Sequence, residues 1–244
     1  MKAWLTLILY LVVFSSSMAS EAPFLKYQSG SFLDTVLVGA DKYEVKWLIK
    51  ENFNDNNWKL RWEVETTDAI IKVSNGKLFI TDHGIGTTLW NKMEFPKNLI
   101  VKYRVRAEGK KEDNKTNFNL FSHAKGIDGK SLVVGKESKR TGAYNQYHNI
   151  PNYISTFTFK HSRIRKDPGF ILLSDSKEYS VTDKIYQIVY AVSNGHIRYY
   201  VDGKKIHDVI DDTPLEGGKI GIRTWDTEAW WDDIEIGMIV GKIK

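Results

Sequence analysis

Ala191–Val209 reads AVSNGHIRYYVDGKKIHDV, and this stretch decides the fold class. Asn194-Gly195 and Asp202-Gly203 tolerate the positive φ angles of type I′ turns, whose twist matches that of paired strands. Each sits between apolar-alternating flanks, so the run predicts a three-strand meander with His196–Val201 in the middle. Upstream, VSNGKLFI (Val73–Ile80) repeats the pattern around Asn75-Gly76. Further segments rich in Val, Ile, Tyr, Phe and Trp read as strands: Tyr43–Phe53, Leu99–Ala107, Phe118–Ser122, Tyr153–Phe159, Ile185–Val192, Lys219–Thr224 and Trp230–Ile236. No segment carries a 3.6-residue amphipathic period. So many strands predict an all-β protein, a two-sheet antiparallel β-sandwich of jelly-roll type.

The opening residues predict export. Lys2 precedes an apolar core at Leu5–Phe14, and Ser17-Met18-Ala19 offers a small-x-small cleavage site, the pattern of a secretory signal over residues 1–19. Cleavage near Ala19 leaves about 225 of the 244 residues. Residues 20–42 are expected to form an N-terminal arm or edge strand, and residues 43–244 a single jelly-roll domain, since no linker or repeat interrupts them. No later apolar run approaches the roughly 18 residues of a spanning helix, so no membrane contact is expected after signal cleavage. With no cysteine, a lipid anchor, thiolate zinc and thiol nucleophiles are excluded, which points to a periplasmic or secreted product that is not a lipoprotein. The net charge of +5 is spread along the chain without a basic tail, so nucleic acid is not an expected partner. The mild positive excess suits an anionic polysaccharide or oligosaccharide.

Candidate chemistry gathers in the middle third. Gly142–Gly169, GAYNQYHNIPNYISTFTFKHSRIRKDPG, holds two histidines, three tyrosines and the cations Lys160, Arg163, Arg165 and Lys166. Taken as one unbroken strand, Ile154–Lys166 puts Ser155, Phe157, Phe159, His161, Arg163 and Arg165 on one face. Tyr147 and His148 precede a turn at Asn149–Asn152 that brings them alongside. This set fits β-elimination of a uronate glycan. Arg163 or Arg165 would clamp the carboxylate, His148 or His161 would take the proton α to it, and Tyr147 or Tyr153 would protonate the leaving oxygen. No metal is required, although Asp-rich turns leave a structural calcium site open. Trp225 and Trp230 are candidate sugar-stacking rings. In Trp230-Trp231 the neighbours point to opposite strand faces, so one of them must find cover or a ligand outside the core.

A glycosidase needs two carboxyls flanking the bond. Glu228, Asp232, Asp233 and Glu235 are the nearest approach, and alternation separates Asp232 from Asp233, leaving Asp233 with Glu235 as the same-face pair.

Three segments carry a resemblance: KTNFNLFSHA (Lys115–Ala124), TGAYNQYHNIPNYISTFTF with the HSRIRK that follows, and YYVDGKKIHDV with the ending GKIGIRTWDTEAWWDDIEI. Together they resemble a family of exported bacterial domains of unknown function in the concanavalin A-like lectin/glucanase superfamily, distantly like YesU-type proteins found beside pectin-degrading enzymes. The likeness spans Glu51–Ile239, with ISTFTFKH standing where the family has a Gly-rich stretch. It implies a jelly roll acting on plant, algal or host glycans, with the ligand in the concave sheet. Asn119, Tyr153, Arg165, Lys166, Trp225 and Trp230 are taken as substrate-binding, and Tyr147, His148, His161 and Arg163 as catalytic. A non-catalytic glycan-binding protein and a glycoside hydrolase using the C-terminal acids remain the alternatives.

Overall fold

The computed structural model describes residues 33–109 and 115–243. The expected signal segment and residues 20–32 lie outside the described residues, as does most of the polar stretch 109–116. Among the described residues sixteen strands follow in order: β1 (Leu33–Val38), β2 (Asp41–Glu51), β3 (Trp62–Glu65), β4 (Ile70–Ser74), β5 (Lys77–Thr81), β6 (Thr87–Asn91), β7 (Leu99–Ala107), β8 (Asn117–Ala124), β9 (Asn152–Thr158), β10 (Ser162–Asp167), β11 (Ile171–Ser176), β12 (Tyr186–Ser193), β13 (His196–Val201), β14 (Lys204–Ile210), β15 (Lys219–Thr224) and β16 (Glu228–Ile243).

These build two antiparallel sheets. One runs β1-β2-β16-β7-β12-β13-β14, with β5 also pairing β16 and β4 pairing β5. The other runs β11-β10-β9-β8-β15-β6-β3. The all-β jelly-roll sandwich is therefore present, and β1 is an edge strand. Each of the three Asn-Gly or Asp-Gly turns has positive φ at both residues: Asn75 and Gly76, Asn194 and Gly195, Asp202 and Gly203. They close β4-β5, β12-β13 and β13-β14, the meander that the opening stretch predicts.

Alternation sorts every strand between a core and an outer face. From the seven-stranded sheet Leu89, Leu120, Phe118, Phe157, Ile164 and Ile222 turn inward against Val101, Tyr103, Val105, Ile188, Tyr190 and Trp231 of the larger sheet. Each such side chain contributes roughly 1.5–3 kcal/mol by leaving water. A second apolar cluster lies on the outer face of the seven-stranded sheet, where Trp90, Phe121 and Ile154 meet Leu132 and Tyr147 of the connection between β8 and β9. Gly221 allows this, because a Cβ there would sit 2.7 Å from the Trp90 ring.

The unbroken strand Ile154–Lys166 is overturned. The chain reverses at Phe159-Lys160-His161, where the Thr158 N–H donates to the His161 carbonyl (2.9 Å) and the Lys160 N–H donates to Thr158 Oγ1 (3.2 Å). Across the hairpin Ser162 pairs with Phe157 and Arg163 with Thr156, so even-numbered residues share a face with odd-numbered partners. Phe157 thus enters the core, while Thr156 and Thr158 join Arg163 and Arg165 outside. This turn carries no Gly, Pro or Asn, which is why the sequence does not announce it.

Candidate functional site

One row of the seven-stranded sheet carries polar side chains on every strand. In register across it stand Glu65, Thr88, Arg223, Asn119, Thr156, Arg163 and Asp175. Ile220 and Ile222 point Arg223 outward by alternation, and Phe118 and Leu120 do the same for Asn119. The middle of this row, Arg223, Asn119, Thr156 and Arg163, is the floor of a trough of about 510 Å³, within the range of ligand sites. Trp225, Asn117, Thr158, Phe159, Lys160 and His161 border it along one side, and Tyr144, Phe170 and Arg165 along the other.

Loops fix the walls. Asp82 accepts hydrogen bonds from the backbone N–H groups of Gly84 (3.0 Å), Gly86 (3.1 Å) and Asp226 (2.7 Å), and Trp225 Nε1 donates to the Gly84 carbonyl at 2.6 Å. The indole is held in place yet 40% exposed. Phe170, equally exposed, follows the Pro168-Gly169 turn, where its N–H donates to Asp167 Oδ1 (2.7 Å). Its ring lies 4.3 Å from the Arg165 guanidinium. Both rings are anchored and part-exposed, Phe170 being layered against Arg165 and His148, and their remaining surface can pack on sugar C–H groups.

Charge is lopsided. Lys160, Arg163, Arg165 and Arg223 line the trough, and none of the described lining residues is Asp or Glu. Arg163 is balanced by Asp175 at 2.8 Å. Arg223 is 2% exposed, donates from Nη2 to the Gly142 carbonyl (3.0 Å), and lies 5.1 Å from the Tyr144 ring. Its Nε has no partner, and among the described residues no carboxylate lies within ion-pair distance of it. Burial pushes its pKa down, opposed by Tyr147, Tyr144 and Asp82. A buried guanidinium without a counter-charge is costly unless a ligand supplies one.

The titratable groups follow from this field. Burial lowers the His161 pKa, helped by Arg163 and Arg165. The same forces lower that of His148, with Arg165 and Arg223 beside it. Both imidazoles are therefore neutral at pH 7. Burial raises the Tyr144 phenol, against the pull of Arg165 and Arg223.

Of the sequence candidates, Asn119, His161, Arg163, Arg165 and Trp225 line this trough together. His148 stands beside it, its ring 4.5 Å from Tyr144 and 4.3 Å from Phe170, with Nε2 unpartnered. Four candidates lie elsewhere. Tyr147 is buried and donates to Glu65 Oε2 (2.9 Å), a carboxylate that also receives Trp90 Nε1, Arg140 Nε and Ser138 Oγ. Tyr153 points inward and donates to Asp211 Oδ2 (2.6 Å), and Lys166 is ion-paired to that Asp211 at 2.8 Å. Trp230 belongs to the other sheet, 4% exposed beneath Lys77, while Trp231 fills the core. The C-terminal acids are on that other sheet too. A bulge with positive φ at Asp233 lets Asp232 and Asp233 share Arg104 (2.7 and 2.8 Å), which corrects the opposite-face expectation. Glu235 pairs with Lys50 and Lys102.

Arg223, Tyr144, Phe170 and Thr156 are the site residues that the sequence reading misses. Arg223 was detectable: a lone arginine after two alternating isoleucines must face away from the core. Among the described residues no cluster of three or more His, Asp or Glu side chains could hold a metal ion.

An antiparallel jelly-roll sandwich with a cationic, aromatic-bordered trough on its smaller sheet defines the class. Residues 81–234 match the family described as "Domain of unknown function (DUF6250)", well over half the chain, and the protein belongs to that family. No curated protein matches the chain. Among solved structures it is similar to a Bacillus subtilis protein of unknown function with a galectin-like fold, at 21% identity and TM-score 0.72, over 82% of this chain and 99% of that one. It is also similar to the Ca2+/Man2-bound exoplasmic/lumenal domain of VIP36 (11% identity, TM-score 0.57, 82% and 91% covered). A third is a prokaryotic β-1,3-1,4-glucanase (lichenase) from a mouse hindgut metagenome (14%, 0.54, 79% and 99%). At these identities the likeness establishes the fold.

Proposed function

We propose that this is an exported protein, released by cleavage near Ala19, that binds an acidic, uronate-bearing glycan in the trough and cleaves it by β-elimination. One observation carries the reading: Arg223, buried at the trough floor without a carboxylate partner among the described residues. A uronate carboxylate supplies the missing charge and can take two guanidinium N–H donors, with Arg165 at the facing border and Trp225 and Phe170 stacking on the ring. That sandwiches of this fold include a Man2-bound domain and a lichenase agrees with a glycan ligand, though one fold hosts many functions.

The chemistry needs no carboxylate from the protein. Arginines neutralise the uronate and so stabilise the charge that develops when its α proton leaves. Neutral His148, which feels both Arg165 and Arg223, takes that proton, the C–H electrons form the ring double bond, the bond to the leaving oxygen breaks, and Tyr144 protonates that oxygen. Tyr144 thereby replaces Tyr147 and Tyr153 in the acid role. A hydrolase using Asp233 and Glu235 would work on the opposite sheet, where both acids are held in ion pairs.

Incubation with a panel of acidic polysaccharides tests this. An unsaturated uronate gives a rising ultraviolet absorbance. Reducing ends without that absorbance would mean hydrolysis, and retarded polysaccharide in a gel with neither signal would mean binding alone.

A further inference from the structure

The row that contains the floor runs from buried to exposed. Exposure is 1% at Glu65, 0% at Thr88, 2% at Arg223 and Asn119, and 6% at Thr156. The side chains of Arg163 and Asp175 then rise to 31% and 49%. β11 is the last strand of its sheet, and Leu172, opposite Arg165, is half exposed at that edge. At the other end a backbone seam seals the trough. Gly86 and Gly142 have φ of 112° and 90°, and a Cβ on Gly142 would lie 2.0 Å from the Gly86 carbonyl oxygen. A Cβ on Gly86 would lie 2.1 Å from Arg223 Nη2. Two loops therefore meet over the guanidinium without room for a side chain. Beyond the seam, the segment that carries Tyr147 and Arg140 is clamped onto Glu65.

We infer that the trough is blind at Arg223 and open at the β11 edge, so that it receives the end of a glycan chain and cannot bind the middle of one. This rests on the acidic-glycan reading and adds the mode of attack. The terminal uronate enters first and sets its carboxylate against Arg223. The rest of the chain leaves across Thr156 and Arg163, a run from β15 to β10 of roughly 14 Å at ~4.8 Å per strand. A polymer threaded past Arg223 would have to part the Gly86–Gly142 seam.

The full chain is titrated calorimetrically with oligogalacturonides from dimer to polymer, and with alginate and hyaluronan oligomers of matching lengths. Binding of one protein per glycan chain, unchanged as the chain lengthens, is the expected result. If cleavage occurs, low conversion yields an unsaturated monosaccharide and polymer shortened by one residue, without fragments of intermediate size. Stoichiometry that grows in proportion to chain length, or fragments of every size at low conversion, overturns the blind end while leaving the acidic-glycan reading standing. Failure of every acidic glycan to bind at any length removes both.

Discussion

Replacing Arg223 by methionine separates a ligand-binding charge from a structural one. The substitution removes a buried cation that has no carboxylate partner among the described residues and inserts an apolar chain of similar reach. Two costs oppose each other in the free protein. The Gly142 carbonyl loses its charged donor, about 1–3 kcal/mol. Removing an uncompensated buried charge returns desolvation energy of similar size, about 1–4 kcal/mol. The sum lies near zero, and since 1 kcal/mol moves Tm by roughly 2–4 °C in a domain of this size, R223M should melt within about 5 °C of the parent. In the complex no such cancellation exists. A carboxylate facing methionine is a desolvated charge without a partner, which costs about 2–5 kcal/mol, or a loss of affinity from ~30-fold to several thousand-fold at 1.4 kcal/mol per decade. Calorimetric titration with the best-binding acidic glycan and a thermal melt of the same sample give both quantities. A fall in Tm of more than about 10 °C, or unchanged affinity in a folded variant, would refute the assignment of Arg223 as the carboxylate receptor.

Three other outcomes follow from the same geometry. Burial pulls His123 and His207 down to about 4, so between pH 6.5 and 4 the unfolded chain binds more protons. Their stabilisation is full above pH 6.5 and lost towards pH 4, up to about 3 kcal/mol each; an unchanged Tm between pH 7 and 5 contradicts it. Glu65→Gln breaks the ion pair between the buried Glu65 and the half-buried Arg140, and the anchor of Tyr147. It should cost about 3–5 kcal/mol by denaturant titration, and it should weaken glycan binding because Tyr144 rides on the released segment. Trp225→Ala should leave Tm nearly unchanged and reduce affinity about five- to ten-fold by loss of stacking worth ~1 kcal/mol. Trp230→Ala, on the other sheet, should leave affinity unchanged, and a drop there of the Trp225 size would move the site.

Local chemistry wrote much of this fold into the sequence. The Asn-Gly and Asp-Gly pairs mark their hairpins because few other residues accept two successive positive φ angles. Lys219–Thr224 and Leu99–Ala107 show their bounds through β-branched alternation. Half of the expected site residues lie in the trough for the same reason: Arg163 and Arg165 flank Ile164, which has to face the core. The misplaced ones share a different cause. Nothing near Tyr147 in the sequence reveals that Glu65, 82 residues upstream, waits for its hydroxyl, and nothing near Tyr153 reveals Asp211.

By itself, then, the sequence determined strand content, hairpin positions and which face most side chains occupy, since these depend on φ preferences and a period of two. Only the tertiary structure decided which strands became neighbours. Register between β15, β8, β9 and β10 is set by packing across the whole sandwich, and it alone aligned Arg223, Asn119, Thr156 and Arg163 into one floor. The closing of that floor at one end is likewise a meeting of two loops, Gly86 and Gly142, more than fifty residues apart. Contacts of that range are paid for by the global core, and no local pattern records them.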